Sequence, residues 1–202
     1  MPLDNTHTPV PRTLILGSTS RYRRELLERL HLPFEVHAPQ VDEAAEPGEA
    51  PATLAKRLAL AKAREVAERF PQSVVIGSDQ VADLHGVALG KPGDHARAVA
   101  QLRRMRGETV VFQTAVAVVC LSTGFEQCEL AAVKVLFSQL TDEQIEHYLQ
   151  VEKPYDCAGS AKSEGLGIAL LDRIDNDDPT ALVGLPLIRT CHMLQAAGVS
   201  IL

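Results

Sequence analysis

The stretch "GSTSRYRR" at 17–24 concentrates hydroxyls and cations. Ser18, Ser20, Arg21, Arg23 and Arg24 stand where an apolar run, Leu14-Ile15-Leu16, gives way to a helical pattern that continues through Glu25-Leu26-Leu27. Cations at a helix start oppose the positive end of the dipole, by up to about 1 kcal/mol each. An anion held there turns that cost into an attraction. Further along, "SVVIGSDQ" at 73–80 brings Asp79 and Gln80 to the end of a second apolar run. Lys62 sits in an alanine-rich helical stretch, Lys91 in "GKP", and Asp42 and Glu43 in an acidic turn. Guanidinium, ammonium and hydroxyl groups suit phosphate oxygens. Carboxylates suit a hard divalent cation, or a water that must lose a proton. The set fits metal-assisted attack on a phosphoanhydride.

Taken singly, each group has a plainer explanation. The serines can cap a helix, Arg23 and Arg24 can form a solvated face, and Lys62 can pair with Glu65. Asp42 and Glu43 can be ordinary turn acids. The G-x-x-x-x-G-K-[ST] spacing of a P-loop is absent.

The elements that must position these groups alternate between strand and helix patterns. Residues 13–16 read as a short buried strand running into a helix capped by Ser18, Thr19 or Ser20. Residues 34–37 suggest a second strand, and Pro51 suits the first turn of a long helix to Phe70. Leu54, Leu58, Ala61 and Ala67 fall near one face of that helix. Residues 73–79 form the clearest buried strand, followed by a hairpin around His85-Gly86 and a helix over 94–105 closed by Gly107. The runs 109–122 and 128–137 flank a turn at Gly124 and can pair antiparallel. A helix over 141–150, a strand over 165–171 and a closing helix over 187–197 complete the pattern. Helices alternating with strands, some joined by hairpins, predict an α/β fold with a mixed twisted sheet flanked by helices.

Composition narrows the function classes. The 202 residues carry 46% hydrophobic and 23% charged residues, ordinary for a soluble domain. A net charge of −6 argues against a general nucleic-acid binder, though not against a local basic pocket. Cys120, Cys128, Cys157 and Cys191 show no C-x-x-C pairing and read as reduced thiols. Residues 1–10 lack the pattern of a secretory signal, and no run approaches the roughly 18 apolar residues that span a bilayer. The expectation is a cytoplasmic protein with a flexible extension over 1–12 and one domain over 13–202.

The ordered set "LILGSTSRYRRELL", "VDE", "LALAKA", "VIGSDQV", "LGKP", "CAGSAKSEGLG" and "LVGLPL" closely resembles the Maf family of nucleotide pyrophosphatases. The likeness runs from about Thr13 to the C-terminus. It implies a Maf and inosine-triphosphatase-like fold with an active-site cleft. It also implies hydrolysis of a nucleoside triphosphate to monophosphate and diphosphate, with Mg²⁺ or Mn²⁺, by a homodimer. By position, Asp79 matches the family's catalytic aspartate, which would accept a proton from water directly or beside the metal. Ser18, Arg23, Lys62 and Lys91 match positions lining the triphosphate. Glu43 matches an acidic position that, with Asp79, would hold the cation. One departure is Arg21, where the family usually has proline.

Base-side positions separate the family's branches. The branch acting on dTTP and UTP looks like "SPRR" and "ADT", with glutamine in the C-terminal glycine motif. This chain has Tyr22, Gln80 and Glu164 instead, and resembles the 7-methyl-GTP branch. N7-methylguanine carries a delocalised positive charge, which stacks favourably on an electron-rich ring. Tyr22 would supply that ring, Glu164 would accept from the guanine N1–H and amino group, and Gln80 would shape or polarise the pocket. Cys157 is read as a packing residue rather than a nucleophile. The competing readings are a pyrimidine-nucleotide pyrophosphatase and a non-catalytic nucleotide-binding regulator of septum formation.

Overall fold

A computed structural model describes residues 12–202. Of the expected extension over 1–12, all but Arg12 lies outside the described residues. The chain runs β1 (Leu14–Gly17), α1 (Arg21–Glu28), β2 (Phe34–Val36), α2 (Pro51–Arg69), β3 (Val74–Leu84), β4 (Val87–Leu89) and α3 (His95–Met105). It continues through β5 (Thr109–Cys120), β6 (Phe125–Phe137), α4 (Asp142–Glu152), β7 (Leu171–Asp175) and α5 (Leu187–Ala196). The seven strands form one mixed sheet in the order β2-β1-β3-β5-β6-β7, with β4 against β3. Among the described residues, only the β1–β2 and β1–β3 pairs are parallel.

Alternation along β3 assigns its faces. Val75 and Val81 point toward α2 and pack with Leu54, Leu58 and Val66. Val74 and Ile76 point the other way, into a core with Leu26 and Leu27 of α1 and Met193 and Leu194 of α5. A third core lies under α3 and α4, where Leu102, Met105 and Tyr148 meet Phe112 and Phe137. The buried stripe of α2 is 54, 55, 58, 59, 62, 63, 66 and 67. Ala61, expected on that stripe, lies beside it and is only half-buried.

Two strand expectations change. β3 does not stop at Asp79 but runs five residues further, because β5 pairs with it continuously from Val75 to Asp83. Residues 165–171 are not a strand: Leu166–Leu170 is a 3₁₀ turn, and β7 begins at Leu171. The two glycines explain the compaction there. A Cβ on Gly165 would lie 2.4 Å from Glu152 Oε1, and one on Gly167 would lie 2.4 Å from the Lys162 carbonyl.

Where β3 extends matters more than that it extends. Its parallel pairing with β1 ends at Gly17↔Gly77, and β4 joins only at Ala82. Between those points, among the described residues, β3 is laddered to β5 alone. The Ser18–Ser20 turn departs from the sheet at this gap. Gly77 also sets how closely α2 lies on the sheet, since a Cβ there would be 2.3 Å from the Ala59 carbonyl and 2.6 Å from the Ala63 nitrogen.

The acidic loop between β2 and α2 is clipped to the helix. Arg57 donates to both carboxylate oxygens of Glu49, at 2.7 and 2.8 Å, and to the Ala44 carbonyl at 2.9 Å. The hydrogen bond from Arg57 holds the Glu49 carboxyl down at about 2, below its ordinary 4.5.

Gly77→Ala should force α2 off the sheet and cost about 1–3 kcal/mol of stability. For a chain of this size, thermal unfolding should show a loss of about 2–4 °C per kcal/mol. Glu49, with a lowered folded pKa, contributes stability that is complete above its unfolded value and lost as pH falls through the folded one. The gap in urea midpoint between the parent and Glu49→Gln should therefore be full at pH 7 and shrink steadily from pH 4.5 toward 2. A gap independent of pH would remove that role from the Arg57 clip.

Candidate active site

Lys62 carries the densest charge contacts of the predicted set. It lies on the buried stripe of α2 with its side chain 6% exposed, and its Nζ is 2.7 Å from Asp79 Oδ1. The same ammonium is 2.7 Å from Glu43 Oε1 on the clipped loop. Asp79 points to the α2 face of β3 from inside the unlined stretch between β1 and β4, itself almost fully buried. The site is thus assembled by the end of β1, not by the end of β3.

The turn after β1 supplies the opposing cation. Ser20 caps α1, its hydroxyl accepting from the Arg23 amide. Arg23 Nε donates to the Gly184 carbonyl at 2.9 Å, and its Nη1 lies 3.4 Å from the buried Ser18 hydroxyl. Burial pushes the Arg23 guanidinium pKa down, opposed by the carboxylates of Asp79 and Glu43. Burial works to raise the Glu43 pKa, but the Lys62 hydrogen bond and the charges of Lys62, Lys91 and Arg23 outweigh it and leave it lowered. Lys91 itself is exposed in the loop after β4. Ser18, Arg23, Glu43, Lys62 and Asp79 therefore gather at one gap, and the charge of Lys91 is felt at Glu43.

The base-side candidates divide. Tyr22 is half-buried, with its hydroxyl 4.0 Å from the Cys157 sulfur. Arg21 donates to that hydroxyl at 2.9 Å and places its guanidinium carbon 4.7 Å from the Tyr22 ring centroid. The substituted proline position thus serves the ring rather than the phosphate turn. Glu164 is exposed on the loop beyond Cys157; the hydrogen bond that Lys162 gives Glu152 is the main cause of the raised Lys162 pKa, to which the charges of Tyr22 and Glu164 add. Gln80 does not join them. One residue on from Asp79, it points to the opposite face of the sheet, where its amide nitrogen is within 2.9–3.1 Å of Thr114 Oγ1 and the Ala181 and Leu182 carbonyls. Its geometry supports shaping the 181–184 segment, which Ser78 also holds through the Gly184 carbonyl.

Cys157 is half-buried rather than fully buried, and its thiol is pushed up to about 11 by burial and by the Asp156 carboxylate. A thiol at that value is protonated at neutral pH and a poor nucleophile.

Two residues carry weight that motif spacing alone did not assign. Lys162 donates to Glu152 Oε2 at 3.2 Å, while Glu152 Oε1 accepts from the Leu166 amide at 2.7 Å. Glu152, at the end of α4, thereby clamps the loop that bears Glu164. A lysine and a glutamate ten residues apart gave no local signal for this pairing.

An open groove of about 440 Å³ lies between α3 and α4, lined by Arg103, Asp142, Glu146 and His147 among others. None of the predicted site residues lines it. Three of its charged side chains are already paired, Arg103 with Asp142 and Glu146 with His95. Among the described residues, no group of three or more His, Cys, Asp and Glu is placed to hold a metal ion. No helix among them is long and apolar enough to cross a membrane.

Comparison with known proteins agrees with this framework. A family model described as Maf-like protein matches residues 13–197. A protein of Polaromonas sp. strain JS666 named 7-methyl-GTP pyrophosphatase is 75% identical over 96% of this chain and 89% of its own length. One of the same name from Albidiferax ferrireducens is 72% identical over 96% of this chain and 98% of its own. A third, from Burkholderia pseudomallei strain K96243, is 57% identical over 95% and 91%. With the matched region spanning every strand and helix from β1 to α5, this chain belongs to the Maf-like protein family.

Proposed function

We infer that this chain is a nucleoside triphosphate pyrophosphatase that hydrolyses 7-methyl-GTP to 7-methyl-GMP and diphosphate. The observation that carries this reading is near-full-length identity of 72–75% to relatives named for that activity. The gap beside β3 supports the chemistry, because it sets cations for a polyphosphate against carboxylates able to take a proton.

In this reading water attacks the α-phosphorus, and the bond from that phosphorus to the bridging oxygen breaks so that the oxygen leaves with diphosphate. Asp79 is the base in this reading: its carboxylate accepts the proton of the attacking water. Arg23, Lys62 and Lys91 offset the charge that grows on the leaving diphosphate. Ser18 and the start of α1 add hydroxyl and amide donors to the phosphate side. A divalent cation would be held by Glu43 and Asp79. Two carboxylates completed by phosphate oxygens and water fit Mg²⁺ or Mn²⁺, which are rarely held by an all-protein cage at such sites. That cation would supply neutralisation of phosphate charge and polarisation of the reacting phosphoryl group.

On the base side, Tyr22 offers a ring to the cationic purine and Glu164 an acceptor to its N1–H and amino group. Gln80 contributes by holding the 181–184 segment rather than by touching the base. We further infer a homodimer working in the cytoplasm. The family likeness supports the dimer, and the four free thiols accord with a reducing compartment.

Diphosphate release should be measured with Mg²⁺ or Mn²⁺ on 7-methyl-GTP, GTP, UTP and dTTP at matched concentrations. The expected order places 7-methyl-GTP first. Pyrimidine preference would keep the chemistry and overturn the base-side roles, while nucleotide binding without turnover would favour a regulator. Asp79→Asn should lower kcat by about 100-fold or more, the scale of a lost general base. Glu164→Gln should cost 7-methyl-GTP roughly 10–100-fold in kcat/KM, the worth of one charged hydrogen bond, while affecting UTP far less. Unchanged ratios across the four nucleotides would remove Glu164 from base selection.

A further inference from the structure

The two carboxylates placed to meet a divalent cation are already bridged by a monovalent one. Lys62 Nζ stands 2.7 Å from an oxygen of each, on a side chain anchored in the α2–β3 interface. A second cation entering between Glu43 and Asp79 would meet that ammonium at close range, where like charges in a partly buried setting repel strongly. Nor can the ammonium simply withdraw: leaving its partners inside the protein would strand a buried charge. It needs another anion within the reach of its own side chain.

A triphosphate at the start of α1 is such an anion. Arg23 reaches the same gap from α1, and the charge of Lys91 is felt at Glu43 from the loop after β4. We propose that Lys62 is an internal lock on the cation position. It holds Asp79 and Glu43 together in the nucleotide-free protein and passes to the triphosphate when nucleotide arrives, freeing both carboxylates for the divalent ion. Lys62 is here a positioning residue for metal entry, and the inference rests on the pyrophosphatase reading above. It makes metal and nucleotide binding mutually dependent: the free protein holds Mn²⁺ poorly, and the cation enters with its substrate.

The test is a titration of Mn²⁺ into nucleotide-free protein, with free ion followed by electron paramagnetic resonance. Lys62→Met, close in volume but uncharged, should bind one Mn²⁺ about tenfold or more tighter than the parent, within the usual range of coupled sites. Adding Glu43→Gln to Lys62→Met should abolish that gain. Lys62→Arg, which keeps a cation in place, should remain as weak as the parent. Thermal unfolding gives a second reading, since Mn²⁺ should raise the Tm of Lys62→Met more than that of the parent. Equal Mn²⁺ affinity in the parent and Lys62→Met, or tight binding by Lys62→Arg, overturns the lock. Failure of the parent to release diphosphate from any triphosphate overturns the underlying reading instead, and leaves the metal titration interpretable.

Discussion

A lysine placed on the packing face of α2 constrains everything around it. Burying an ammonium is tolerable only with a hydrogen-bonded counter-charge, and removing one partner of such a pair typically costs about 3–5 kcal/mol. Asp79 meets that demand from β3 and Glu43 meets it from the loop before α2. The helix, the central strand and an otherwise exposed acidic loop are thereby tied at one atom. The same arrangement keeps two acids and two cations in proximity without leaving any of them isolated in an apolar interior. Structural need and chemical use coincide here, so substitutions at Lys62 or Asp79 act on stability and activity together.

The sheet provides the room. A strand fully laddered on both sides leaves no space for a ligand at its backbone, whereas β3 has lost β1 and not yet gained β4 when it presents Asp79. The chain leaving β1 passes directly into the α1 start, so phosphate-binding groups arrive at the gap by covalent connection rather than by long-range packing. Base-side groups come from elsewhere: Tyr22 from the outer side of α1, and Glu164 from a loop clamped by Glu152 and by the Tyr148 hydroxyl, which accepts from the Lys162 amide. Base recognition and phosphate chemistry thus rest on different supports.

Most of this order was legible from residue pattern. The hairpin at His85-Gly86, the paired runs around Gly124 and the capped helix after Thr141 all carry short-range turn or cap signals, and the structure has them. The misplaced features are those set by partners distant in sequence. Nothing local in "GSDQVADL" says that β5 continues to pair past Asp79. The apolar run "GLGIALL" matches a buried strand equally well until Glu152 and the Lys162 backbone fill the space above its two glycines. "LDRID" is too charged to read as a buried strand, yet that charge suits an edge strand, where it discourages pairing with another chain. Lys62 was among the candidates, and its burial was detectable in principle: positions 54, 55, 58, 59, 63, 66 and 67 are all apolar, and a lone lysine inside that stripe needs a buried partner.

Asp79 and Gln80 are neighbours in sequence with opposite destinations, one meeting α2 and the other the 181–184 segment. The pleat alone separates them, and the β3–β5 register, unbroken from Val75↔Val119 to Asp83↔Val111, fixes which goes where. According to its direction, a slip by one position would deliver the Gln80 amide to Lys62 or the Asp79 carboxylate to the Ala181 and Leu182 carbonyls. Length change between Val75 and Asp79 is therefore forbidden far more strictly than side-chain change. A residue gained or lost there keeps both side chains on their faces only if a bulge before Asp79 absorbs it.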